Sequence, residues 1–240
     1  MRKIKTKHGF IFSIVKTIVR IFKKKPKIYN LNEEESFEKG IIISNHSAAS
    51  GPMTLSLYFP TFFVPWGTHE MTENYIKRWK YLYYTFYQKK LGYKKFKSFM
   101  IATLFAIISR MLYNGMQLIP TYVDIRYRNT IQRSIEHLET GNSVLIFPED
   151  SNDGYLEKPK KYNNGFVYLC QKYYEKNKVD LPIYPIYFHK RLNAFIIGKK
   201  EYIQDKLVND NSREQIAKHF KDITANLADK LFALEKKAKN

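Results

Sequence analysis

The chain has 240 residues, with 41 Lys+Arg against 22 Asp+Glu and a formal net charge of +19. That length fits one domain with a sizeable core, and 44% hydrophobic with 16% aromatic residues exclude wholesale disorder. A single cysteine, Cys170, excludes an intramolecular disulfide framework and a Cys-built zinc site, while the charge points to an anionic partner.

Residues 1–27 carry ten basic groups and no acid. From Gly9 to Lys24, apolar Phe10, Ile11, Ile14, Val15, Ile18, Val19, Ile21 and Phe22 alternate with Ser13, Lys16, Thr17, Arg20 and Lys24 at helical spacing. The segment 1–27 therefore reads as a basic amphipathic membrane-associating helix. Lys16, Arg20, Lys23 and Lys24 are expected to reach anionic head groups. A helix packed on its own domain and a short membrane span are the alternatives. Lys16 and Arg20 interrupt the apolar stretch, and no small-residue cleavage site follows, so a secretory signal does not fit.

The remainder, 28–240, reads as one domain. After Pro26 the chain turns acidic (Glu33, Glu34, Glu35, Glu38). Gly40 to Ser44 is a short buried strand. A small-residue loop, Asn45 to Gly51, leads into a helix beginning at Pro52. Thr61 to Pro65 is a second strand. Residues 72–112 form a basic, aromatic helical insertion in which Trp79 and its neighbouring tyrosines suit a membrane–water interface. Residues 74–123 carry nine basic groups and no acid, so the two basic segments hold the whole charge imbalance. No apolar run reaches the about 18 residues of a confident transmembrane helix. Gln117 to Val123 is a strand, and Thr130 to Glu139 a helix stopped by Gly141. Ser143 to Phe147 is a strand, Pro148 to Gly154 a loop and Gly165 to about Lys176 a helix. Leu181 to Phe188 and Ala194 to Ile197 are strands. The last helix opens on the capping box Ser212-Arg213-Glu214-Gln215 and carries Ile216, Phe220, Ile223, Leu227, Leu231 and Leu234 on one face. The class is α/β, with a mainly parallel sheet flanked by helices.

Two loops follow strands, where open α/β sheets gather their sites. His46 sits on the first among small residues, placed for general-base work. The second is Phe147-Pro148-Glu149-Asp150-Ser151. His69-Glu70 follows another strand and lies near the site or on a loop surface. His8, His137, His189 and His219 lack metal-ligand spacing, so no metal is expected. Cys170 reads as core, and no glycine-rich phosphate loop occurs.

Asn45-His46, a small loop and Pro52 resemble the first motif of the PlsC-type glycerolipid acyltransferases, Asn-His-x-x-x-x-Asp-Pro. Phe147-Pro148-Glu149 resembles that family's Phe-Pro-Glu-Gly motif about a hundred residues on. Lys160 to Phe166 is similar to its Phe-Lys-x-Gly block, Leu181 to Ile186 to its proline-bearing fourth motif, and Ile197-Gly198-Lys199 to its Ile-Gly-x-Pro strand end. The resemblance implies a fold of the glycerol-3-phosphate acyltransferase type. The implied activity is phospholipid-biosynthetic transfer of a fatty acyl group to the hydroxyl of a lysophosphatidic-acid-like glycerolipid. The donor would be acyl-CoA, an acyl carrier protein thioester or an acyl phosphate as co-substrate, with no bound cofactor.

It also implies roles. His46 is the general base. Asn45, Ser47, Ser50, Glu149 and Ser151 are expected to organise the substrate pocket. The family's Asp, five residues after the His, is Gly51 here, and its Gly after Phe-Pro-Glu is Asp150. Asp150 is therefore expected to supply the missing catalytic carboxylate. The family's phosphate-binding Arg position is Thr121, so Arg126, Arg128, Lys160 and Lys161 are the substitutes, or else solvated surface residues. The implied place is the cytoplasmic face of an anionic membrane, peripheral or monotopic, with a lysophospholipid acceptor and an acyl carrier protein as a further partner. A non-catalytic lipid-binding member of the same fold is the rival reading. A nucleic-acid binder rests on charge alone, with no recognition motif behind it, and is not expected.

Overall fold

A computed structural model describes residues 4–32, 36–47, 50–149, 156–209 and 211–238. Its elements run as α1 (Phe10–Phe22), β1 (Lys27–Asn30), β2 (Ile41–Ser44), α2 (Ser50–Tyr58) and β3 (Phe63–Thr68). A 3₁₀ turn (His69–Thr72), α3 (Tyr75–Lys80), a π-helical stretch (Tyr81–Lys90) and α4 (Lys95–Gly115) follow. Then come β4 (Ile119–Thr121), α5 (Tyr127–Glu139), β5 (Ser143–Ile146), α6 (Gly165–Asn177), β6 (Ile183–His189), β7 (Ala194–Ile197), α7 (Gln204–Val208) and α8 (Arg213–Lys237).

Seven strands among the described residues make one sheet in the order β1-β7-β6-β2-β5-β3-β4. All neighbouring pairs are parallel except β6 with β7. The central strands are apolar along their length because both sheet faces are covered. Alternation divides them: Ile41 and Ile43 pack with Phe166 of α6 and Phe220 of α8, while Ile42 packs with Leu55 and Phe59. One sheet face thus carries α5, α6 and α8, and the other carries α2. The capping box of α8 forms as expected, with Ser212 N–H donating to Gln215 Oε1 (2.6 Å) and Gln215 N–H to Ser212 Oγ (3.2 Å).

Several elements differ from the sequence reading. β1 is absent from it, because Lys27-Ile28-Tyr29-Asn30 has no apolar period. What holds that strand is distant: Lys27 Nζ and Tyr29 Oη reach the buried Glu235 carboxylate of α8, each at 2.8 Å. β3 runs to Thr68 instead of ending at Pro65, because its second half pairs with β4. β4 itself is only Ile119–Thr121. α4 is long and apolar enough to cross a membrane. Its charges, Lys95, Lys97 and Arg110, lie towards its ends, so a strict count of uninterrupted apolar residues missed it.

α1 shows its apolar face outward. Phe10 is 80% exposed and Phe22 84%, with Ile11, Ile14, Ile18 and Ile21 also exposed. Two of the expected membrane-binding bases bond to the protein instead. Arg20 donates to the Leu57 carbonyl of α2 (Nε, 2.8 Å) and Lys23 to Thr54 Oγ1 (2.8 Å). Lys16 is half-buried, and burial followed by the nearby Arg20 pulls its ammonium down to about 8. Lys24 stays exposed. α1 also lies along α4 through Gly9 N–H to Gly115 O (2.9 Å). α4 adds Phe96, Phe99, Met100, Leu104 and Ile107 to the exposed apolar surface. Trp79 is part-buried beneath it, donating Nε1–H to Thr103 (2.9 Å) and stacked on Tyr83.

Candidate active site

β2, β5, β3, β4 and β6 run in the same direction, so their C-terminal ends meet along one sheet edge. Residues that follow these strands are brought together however far apart they lie in sequence.

At the end of β2, Asn45 is buried and both ends of its amide are used. Nδ2 donates to the Phe188 carbonyl (3.0 Å), and Oδ1 accepts from Phe188 N–H (2.7 Å). The pair pins the chain to β6 and fixes the direction in which His46 leaves the strand. The His46 ring is half-buried and lies 4.8 Å from the ring of Phe147. Its backbone N–H donates to Glu149 Oε2 at 2.9 Å. Ser47 takes a left-handed conformation (φ 45°), and Ser50 opens α2.

Glu149 follows β5 and forms a bridge with Tyr162. Burial raises its carboxyl from 4.5 to about 7, and the His46 N–H opposes this only in part. Its second oxygen, Oε1, has no hydrogen-bond partner among the described residues. Asp150 and Ser151 lie outside the described residues.

Gly51 has a steric reason to be glycine. A Cβ there would sit 2.3 Å from the His46 carbonyl oxygen and 3.3 Å from that of Asn45. The first turn of α2 is therefore seated directly on the His46 backbone, and no side chain fits at the position where the resembled motif has its Asp. Gly165 differs: its Cβ would meet only the tip of a side chain, the Tyr127 hydroxyl, at 2.3 Å.

Further along the edge, His69 stacks on Tyr122 (4.9 Å) and Arg126 covers the other ring contact (4.4 Å). Arg126 grips Asp124 through both carboxylate oxygens (2.7 to 3.1 Å), and this pairing draws the Asp124 carboxyl down to about 2. Arg126 is thus already engaged with an anion of its own chain. Arg128 is exposed on the first turn of α5. Lys160 and Lys161 line a groove of about 440 Å³ together with Lys218 and Lys221 of α8. His189 has both ring nitrogens occupied: Nδ1 accepts from Leu192 N–H (3.1 Å) and Nε2 meets Glu157 (2.8 Å). It is a structural histidine. Among the described residues, no group of three or more His, Cys, Asp or Glu could hold a metal ion.

The structure brings His46, Glu149 and Asn45 together, with His69 and Arg126 further along the same edge. Tyr122, Tyr162, Lys218 and Lys221 had escaped the sequence reading. Aromatic content alone does not mark Tyr122 and Tyr162, and the two lysines sit on an otherwise ordinary amphipathic helix.

No family model and no curated protein matches the chain. Its fold is similar to that of a solved protein, the 1-acyl-sn-glycerophosphate (LPA) acyltransferase PlsC from Thermotoga maritima. The TM-score is 0.55 at 11% sequence identity, covering 93% of this chain and 80% of that one. At that identity the likeness is one of fold.

Proposed function

We propose that the protein transfers a fatty acyl group to the hydroxyl of a lysophosphatidic-acid-like lipid at a membrane surface. One contact carries the reading. His46 N–H donates to Glu149, and this joins the two motif blocks of the resemblance at a strand-end site in an acyltransferase-like fold. The chemistry follows from general-base catalysis. Glu149 holds the His46 backbone through its N–H and so shapes the acceptor pocket. The His46 imidazole takes the proton of the acceptor hydroxyl, and the oxygen attacks the carbonyl carbon of the acyl thioester. As the tetrahedral intermediate collapses, the C–S bond breaks and the proton passes from His46 to the leaving thiolate. The products are an oxygen ester and a free thiol. An acyl phosphate would lose phosphate in the same way. Backbone N–H groups near the site are the natural stabilisers of the oxyanion.

The outward apolar faces of α1 and α4 support a monotopic seat. Contiguous large apolar side chains in water mark a surface that is normally covered. A lipid leaflet covers it while giving access to a lipid acceptor. The lack of room at Gly51 favours the second reading, a lipid-binding member without catalysis.

One experiment separates the two. The full chain is reconstituted in vesicles with lysophosphatidic acid, and each donor class is supplied in radiolabelled form. Labelled phosphatidic acid should form with the wild type and fall by at least about a thousandfold in His46→Ala, as expected for loss of a general base with its positioning. A wild type inert with acyl-CoA, acyl carrier protein and acyl phosphate alike would overturn the catalytic reading.

A further inference from the structure

The groove at Lys160 and Lys161 belongs to neither the catalytic edge nor the apolar surface. One wall is the strand-to-helix connection Lys160, Lys161, Asn163 and Asn164; the other is α8, through Lys218 and Lys221. Its one lining acid is Glu214, which Asn164 Nδ2 holds, and Lys221 is itself paired with Asp222 outside the groove. Lys160, Lys161 and Lys218, besides the paired Lys221, therefore face a single carboxylate that already has a partner. The N-terminus of α6 opens here as well, without a side-chain cap, and adds positive potential.

Two placements limit the ligand. First, α8 and α6 cover the sheet face opposite α2, and α1 is tied to α2. The groove therefore faces away from the surface assigned to the membrane, and a bilayer head group is not its ligand. Second, Tyr162 lines the groove, its backbone bridges to Glu149, and Asn163 N–H donates to the Pro148 carbonyl (2.7 Å). The groove therefore begins next to the catalytic edge. It is also concave, which suits a small polyanion better than the flat face of a protein.

We infer that this groove binds the phosphorylated nucleotide part of a coenzyme A thioester, so that the donor enters from water on the sheet face opposite the lipid. The inference rests on the acyl-transfer reading and narrows its donor to one class. Lys160 and Lys218, one on each wall, hold the phosphate groups, and the flexible pantetheine arm runs past Tyr162 to the edge at Glu149.

The test measures binding without turnover. Unacylated coenzyme A is titrated calorimetrically into the full chain in detergent micelles, with dephospho-coenzyme A, inorganic phosphate and an acidic acyl carrier protein as parallel probes. Coenzyme A should bind, and dephospho-coenzyme A more weakly. The double variant Lys160→Glu/Lys218→Glu should lose at least about tenfold in affinity, since a charge-assisted hydrogen bond contributes about 1.5 kcal/mol or more. Both lysines are exposed, so a circular-dichroism spectrum like wild type should accompany the loss. His46→Ala should bind as wild type does. No binding of coenzyme A, an unchanged affinity in the double variant, or lysine-dependent binding of the carrier protein alone would each overturn the inference. Coenzyme A binding with no acyl transfer from any donor would instead overturn the catalytic reading and leave the groove standing.

Discussion

Glu149→Gln should abolish a pH dependence of stability that the wild type carries. The folded chain holds the Glu149 proton up to about 7, whereas the carboxyl ionises near 4.5 when free of its surroundings. Between those values the folded state binds more protons than the unfolded one, so stability falls as pH rises. The proton-linked stability is complete below 4.5 and lost as pH passes through 7. Each unit of separation is worth about 1.4 kcal/mol, and partial solvent access trims the whole to about 2–3 kcal/mol. Glutamine keeps an oxygen for the His46 N–H and never ionises. Urea unfolding of both proteins in micelles at pH 5 and pH 8 isolates the effect. The two should be nearly equally stable at pH 5, with the variant ahead by about 2–3 kcal/mol at pH 8. If both lose stability in parallel between those pH values, Glu149 is not held in a desolvating site against the His46 backbone, and its proposed part in shaping the pocket falls with it.

Three further outcomes are expected. Gly51→Asp, which would restore the motif on paper, should lower the unfolding free energy by about 1–3 kcal/mol, because the side chain has nowhere to go; a gain in acyl transfer would show that α2 can withdraw from His46. Asn45→Ala should cost about 1–3 kcal/mol in urea unfolding, because it strands both the carbonyl and the N–H of Phe188, and should cut kcat with it; unchanged turnover would mean that the pin does not aim His46. Ile14→Glu with Ile18→Glu, both on the outward face of α1, should leave thermal unfolding in micelles within about 2–4 °C of wild type while reducing flotation with vesicles at least tenfold; undiminished flotation would remove α1 from the membrane surface.

Some of this was legible in the chain and some could not be. Ile41-Ile42-Ile43 and Val144-Leu145-Ile146 announce buried strands because every residue is apolar, and the two strand-end loops announce the site because His46 and Glu149 follow directly. Ser212 with Gln215 announces a helix start for a local reason. The failures are non-local. β1 depends on Glu235, 208 residues from Lys27, and no window of sequence contains both. The pattern of α1 identifies two faces but not which one meets protein, so two of the bases expected at head groups, Arg20 and Lys23, are found bonded to α2. Gly51 is visible as a missing Asp, yet the nearby His46 carbonyl that explains it exists only in three dimensions. Lys160 and Lys218 likewise meet only once α8 folds back over the sheet. The expected contribution of Asp150 falls outside the described residues.

The turned face of α1 also decides how the protein should behave in a cell fractionation. A surface held by lysines on phosphates is stripped by concentrated salt, since attraction between exposed charges fades over a few ångströms at about 1 M ionic strength. Here Arg20 and Lys23 are already bonded to α2, and α1 turns Phe10, Ile14, Ile18 and Phe22 outward beside their exposed apolar neighbours on α4, with Lys24 at its end. Salt strengthens rather than weakens the burial of such side chains. The protein should therefore stay in the pellet through a high-salt wash and come away only with detergent, fractionating like an integral protein despite its +19 charge.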